Sequence, residues 1–146
     1  MKTLFKYSAF IYCLLFFSNS YAQVVLIAQP QNVVNELSRN SLRAIFAMRQ
    51  TEWPDGSAIR VFVLEDKKNA HIVFCKDVLG MFPYQLRRVW DRQVFSGTGT
   101  APILVESEQE MLQRVAETKG AIGYLIVNDK TKNSIESAVK IIGEKS

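Results

Sequence analysis

The chain has little of what metal and thiol chemistry require: two cysteines and one histidine among 146 residues. A structural zinc site takes four nitrogen or sulfur ligands, so no metal centre and no cofactor is expected. Cys13 lies in the N-terminal apolar run, which leaves Cys75 alone in the remaining chain and excludes an internal disulfide there. Val73, Phe74, Val78 and Leu79 surround Cys75 at helical spacing, the setting of a buried, inert thiol rather than a reactive or intermolecular one. Charge of one sign is also scarce. Once Lys2 and Lys6 leave with the leader, 16 Lys and Arg face 14 Asp and Glu, and the formal charge falls from +4 to +2. A general nucleic-acid binder shows a basic stripe and a much higher charge, so nucleic acid is not an expected partner. No Gly-Lys-Ser/Thr occurs, which removes the phosphate loop of nucleotide hydrolases.

A long apolar run is missing too. Residues 9–17 form a stretch of leader length behind Lys2 and Lys6, and Ser20-Tyr21-Ala22 is a small-x-small cleavage signal. A membrane anchor needs about 20 apolar residues, and Ser18-Asn19-Ser20 interrupts this one too early. The expectation is a signal peptide over residues 1–22, cut after Ala22, and a periplasmic mature chain without a membrane span. Residues 23–146 then form one domain, since 124 residues suit a single modest core.

What is present reads as alternating strands and helices. The organising stretch is Thr118-Lys119-Gly120 followed by Ala121-Ile122-Gly123-Tyr124-Leu125-Ile126-Val127: helix end, turn, then buried strand. Gly123 inside that strand marks either close helix packing, the commoner arrangement, or the approach of a ligand. Residues 24–28 predict a first strand, central in a parallel sheet, and residues 59–64 a second buried one after the turn Trp53-Pro54-Asp55-Gly56-Ser57. Residues 33–37 read as a short surface piece. Asn40 or Ser41 caps a helix carrying Leu42, Ile45 and Phe46, with Arg39, Arg43 and Arg49 on its solvated side. Further helices are predicted over residues 69–79, from Pro83 with Leu86, Val89, Trp90 and Phe95 on its stripe, and after the capping box Ser107-Glu108-Gln109-Glu110. Residues 103–105 read as a short extended piece, residues 128–133 as a polar loop, and residues 138–142 as a strand that competes with a helical reading.

Two loops are candidate sites. Glu65-Asp66-Lys67-Lys68-Asn69 closes the second strand at its carboxyl end, where ligands sit in open α/β sheets and a following helix offers free amides. Lys67, Lys68, Asn69 and His71 are the anion-binding candidates, although a lone histidine is more often simply exposed. The second candidate loop is Ser96, Gly97, Thr98 and Gly99, whose amides and hydroxyls suit a phosphate but which follows no strand. Catalysis needs a nucleophile with its base, and no motif places Ser96, Cys75 and His71 together, so a non-enzyme is expected.

Ile45-Phe46 with Trp53-Pro54-Asp55-Gly56-Ser57, then Phe74, Val78-Leu79-Gly80, Trp90, Phe95-Ser96-Gly97 and above all Val115 to Tyr124 resemble the phosphate-binding periplasmic components of ABC transporters, more closely their short, single-lobe relatives. The resemblance implies one lobe of a type 2 periplasmic-binding-protein-like α/β fold, with a parallel-rich mixed sheet flanked by helices. It also implies a secreted, non-catalytic protein that binds phosphate or another small oxyanion. In that family an arginine and a serine-glycine-threonine run grip phosphate after the strand that follows the tryptophan turn. Here that position holds Glu65-Asp66-Lys67-Lys68-Asn69-Ala70-His71, so none of those ligand residues carries over. One lobe also supplies only one wall of a closing cleft, leaving the other to an envelope protein partner or a second copy. The competing reading is a ligand-less accessory subunit of an envelope sensor or transport complex, docking through Arg43, Arg49, Arg87, Arg88 and Arg92 with Trp53, Phe82, Tyr84 and Trp90.

Overall fold

The computed structural model describes residues 22–145, and the expected leader lies outside them except for Ala22. Six strands form one sheet: β1 (Gln23–Ala28), β2 (Glu36–Ser38), β3 (Arg60–Leu64), β4 (Ile103–Val105), β5 (Ala121–Val127) and β6 (Lys140–Lys145). Their spatial order is β2-β6-β1-β5-β3-β4. The pairs β2–β6, β3–β4 and β3–β5 are parallel, so the sheet is mixed and richer in parallel pairs. β1 is central as expected, yet antiparallel to both neighbours: Ile27 lies opposite Gly123 of β5 and Ile141 of β6.

The helices are α1 (Arg39–Phe46), α2 (Asn69–Val73) continuing without a break into a π-helical segment (Phe74–Leu79), α3 (Pro83–Ser96), α4 (Glu108–Glu117) and α5 (Asp129–Glu136). Successive strand residues face opposite sides of a sheet, and β5 shows what each side holds. Tyr124 faces α1 and the π segment, its ring stacked 4.0 Å from that of Phe74 and tilted against Phe46. Gly123 faces α4: a Cβ added there would stand 2.5 Å from Met111 Sδ and 3.1 Å from Val115 Cγ2. The interior glycine therefore serves helix packing. Helices cover both faces, and Ile27, Leu42, Phe46, Phe62, Phe74, Trp90, Met111 and Tyr124 share one core.

Several boundaries differ from the expected ones, each for a local reason. α1 is capped by Ser38, whose hydroxyl accepts from the Ser41 amide, rather than by Asn40 or Ser41. Arg39 and Arg43 are not merely solvated, for they donate to the carbonyls of Asp77 and Leu79 and tie α1 to the π segment. Residues 129–136 form α5, which takes in most of the polar loop expected over residues 128–133. Asn128 caps it, its side chain accepting from the amides of Lys130 and Thr131, and none of its residues is buried, so no apolar stripe announced it. The last strand begins at Lys140 instead of 138 and extends to Lys145. Leu37 of β2 is buried in what was read as a surface piece. Phe95 is 89% exposed rather than on the stripe of α3, which keeps Leu86 and Trp90 inside.

Gly120 joins the two halves of the core. Its φ is +75°, and its carbonyl accepts both the Trp53 indole N–H at 3.0 Å and the Arg60 amide at 3.0 Å. A Cβ there would fall 2.0 Å from the Ala58 carbonyl oxygen, a backbone atom that cannot yield without moving the entry to β3. Gly120→Ala combines a left-handed backbone penalty with this overlap, so it is expected to lower unfolding free energy by at least about 2 kcal/mol in urea titration. Gly56→Ala serves as comparison: its φ is +80° with nothing within 4 Å of the added Cβ, so only the backbone penalty applies.

Candidate functional site

At the carboxyl end of β3 the chain turns through Glu65 and Asp66 into α2. Lys67, Lys68 and Asn69 are exposed there side by side in sequence. Lys68 occupies the cap position of α2 with no side-chain cap hydrogen bond, and the first turn carries no acidic residue. Its leading amides therefore lack the usual side-chain partner. Arg87 of α3 grips Asp66 through two hydrogen bonds, Nε to Oδ2 at 3.1 Å and Nη2 to Oδ1 at 2.8 Å. That neutralises the carboxylate closest to the lysines in sequence, and the guanidinium also lies 5.0 Å from the Trp90 ring centre.

His71 is neither exposed nor in the surface cradle. It is fully buried beneath the loop. The Leu64 amide donates to Tyr124 Oη at 2.9 Å, so the hydroxyl proton is available to His71 Nδ1, 2.5 Å away. The neutral ring then carries its proton on Nε2, which faces Cys75 Sγ at 3.4 Å and Asp66 Oδ1 at 3.7 Å. Burial holds the imidazole below its usual pKa, only partly offset by the Asp66 carboxylate. Burial likewise raises the Tyr124 phenol and pushes the Cys75 thiol up to about 12.

Chemically this cluster is closed. Cys75 and His71 do meet, which no motif foretold, but a buried thiol that stays protonated is no nucleophile. Ser96 stands apart on the exposed end of α3, its hydroxyl engaged with Thr98 and the Gln93 carbonyl. The Ser96–Gly99 loop leads into β4, which runs parallel to β3 with Ile103 beside Phe62 and Val105 beside Leu64. It therefore enters the sheet from the end opposite Lys67 and Lys68, and the two candidate loops do not converge. Trp53 and Trp90 are core residues, whereas Phe82 and Tyr84 are half exposed and stacked 5.9 Å apart. Among the described residues no group of three or more His, Cys, Asp or Glu is arranged to hold a metal, and no helix is long and apolar enough to cross a membrane.

A mixed sheet covered by helices on both faces, with a polar loop at the carboxyl end of its inner parallel strand, is the architecture of one periplasmic-binding-protein lobe. The chain belongs to that family: its residues 20–145 match the model of the PBP superfamily domain. Among solved structures it is similar to PstS from Borrelia burgdorferi, at a TM-score of 0.64 and 17% identity over 87% of this chain and 49% of that one. It is also similar to an ABC-type phosphate transport receptor from Vibrio cholerae, at 0.61 and 17% over 84% and 46%. The chain thus spans about half the length of these solved relatives, and at such identity the likeness is one of fold. No curated protein sequence matches it.

The buried histidine makes a pH prediction. His71 is the single histidine of the chain, and its folded pKa lies below the unfolded value of about 6.5. The unfolded state therefore binds the proton first as pH falls, so stability is full above that value and is lost on descending towards the lower folded pKa. The urea midpoint of the wild type is expected to fall between pH 7 and 5. His71→Asn, whose side-chain oxygen can still accept from Tyr124, should start lower and stay nearly flat over that window. A parallel decline in both would remove His71 as the cause.

Proposed function

We propose that this chain is a non-catalytic solute-binding lobe for phosphate or a similar small oxyanion, and that it works in the periplasm as residues 23–146 after loss of its leader. The observation that carries this reading is the exposed Lys67-Lys68-Asn69 stretch at the uncapped start of α2. The resemblance puts the family's phosphate-gripping segment at this place in the chain. Two ammonium groups and unpartnered amides attract an oxyanion, and Arg87 offsets the nearby Asp66 charge. The names of the solved relatives, a PstS and a phosphate transport receptor, support phosphate as the first ligand to try. His71 takes no direct part. Its ring braces the loop from beneath.

A second reading rests on the stacked, half-exposed rings of Phe82 and Tyr84. Phe82 borders a cavity of about 430 Å³ together with Lys76, Gly80, Met81 and Gln85. This is the type of surface that docks a partner, here a second copy of the chain.

Thermal unfolding of the mature domain with and without phosphate or sulfate separates the two. Ligand at about 100 times its dissociation constant adds about 2.7 kcal/mol to the native state, a rise of several degrees. The first reading predicts that rise and its loss in Lys67→Ala/Lys68→Ala at unchanged ligand-free stability. No rise with any oxyanion, together with self-association that Phe82→Ser abolishes in sedimentation, would replace it with the second.

A further inference from the structure

Asp66 is approached by two nitrogen-bearing side chains, one from the surface and one from the core. Its Oδ1 accepts from Nη2 of the partly exposed Arg87 at 2.8 Å, and the same oxygen lies 3.7 Å from Nε2 of the buried His71 ring. The first contact is a hydrogen bond. The second is about 0.5 Å too long for one, so a small inward movement of the carboxylate would make it.

The protonation state of the ring decides which contact is better. In the neutral ring Nδ1 accepts from the Tyr124 hydroxyl, which itself accepts from the Leu64 amide, so these buried groups are matched. A proton on Nδ1 turns that bond into an N–H and an O–H facing each other. The hydroxyl proton has no other acceptor among the described residues. Cys75 Sγ lies 3.4 Å from Nε2, but its thiol, pushed up to about 12 by burial, stays protonated and is only a weak acceptor. The ionisable groups bearing on the ring are thus Tyr124 from β5, Cys75 from the π segment, Asp66 from the loop and, through Asp66, Arg87 from α3. Asp66 is the one anion among them, and a buried imidazolium needs an anion.

We propose that Asp66 is the moving part of an acid-operated clasp: Arg87 holds it while His71 is neutral, and it turns to the imidazolium and releases the guanidinium once the ring takes a proton. Two bonds from a rigid fork make the Arg87 grip strong, which puts off the exchange to acid pH. The loop then changes its tether from α3 to α2 without unfolding. A guanidinium released next to the stretch that carries Lys67 and Lys68 adds a cation to that surface, so acid strengthens anion binding there. That consequence rests on the oxyanion reading. The clasp itself needs no ligand.

The test is therefore made without ligand, by NMR of the isotope-labelled chain from about pH 8 to 4.5, following the His71 ring and the Arg87 Nε–H. The Arg87 signal is expected to shift with the same midpoint as the ring while far-UV circular dichroism stays constant. Arg87→Lys keeps the charge and loses the fork, so it is expected to raise the His71 midpoint by at least about half a pH unit, roughly threefold in proton affinity. A plain field effect of the Arg87 charge would leave that midpoint in place. Asp66→Asn is expected to lower the midpoint and to make the Arg87 signal flat with pH. An Arg87 signal that ignores the ring's titration, an unchanged midpoint in Arg87→Lys, or unfolding of both proteins with the imidazole still neutral would overturn the clasp. Because none of these signals depends on an added anion, the clasp and the oxyanion site succeed or fail separately.

Discussion

The Tyr124 hydroxyl is the constraint on which the other parts depend. It sits in the middle of β5, where the sheet is fully dry, and its oxygen and proton are used by two different elements: the Leu64 amide at the end of β3 and the imidazole of α2. A hydroxyl in such a place is tolerable only when satisfied, since each unmet buried group costs about 1–3 kcal/mol. The bond to Leu64 fixes where β3 stops and the loop begins. The bond to His71 fixes the rotation of α2 about its axis, which in turn decides that Lys67, Lys68 and Asn69 face outward.

The loop at the carboxyl end of β3 is therefore held from below and from the side. His71 and Cys75 support it from the core, and Arg87 reaches across from α3 to hold Asp66. The π-helical segment that continues α2 is anchored by arginines of α1 bonded to the carbonyls of Asp77 and Leu79, and it ends at Gly80 with φ +65°. A site on this loop thus starts from an ordered arrangement, which lowers the ordering cost of binding a small anion. The opposite end of the sheet is built by different means, from a rigid Asx turn, a buried indole and a glycine whose carbonyl serves two donors. One sheet thus carries two chemically distinct ends.

Much of this fold was legible in the residues. The apolar run of β5, the glycine beside it, the turn chemistry at Trp53 and the serine cap of α4 are local signals, and each falls where it was expected. The internal Gly123 was rightly weighed towards packing, and Met111 and Val115 are the atoms it makes room for. Three features were not legible, two because they depend on contacts far apart in sequence and one because it makes almost none. β1 reads the same in a parallel or antiparallel setting, and only its pairing with β5 and β6 decides. α5 buries nothing, so its Asn128 cap was the one available cue. His71 looked like a surface residue because its partner Tyr124 lies 53 positions away. A lone histidine four residues before a cysteine flanked by apolar residues was a signal for the buried cluster, visible only once both were assigned to one helix face.

The central claim is that one lobe places an oxyanion site on the braced loop at the carboxyl end of β3. The most direct test is a residue-resolved amide NMR titration of residues 23–146 with inorganic phosphate. The account predicts saturable shifts of the Lys68, Asn69 and Ala70 amides, with Gly120 and the Trp53 indole unmoved. An unchanged spectrum, or shifts centred away from the start of α2, would contradict it.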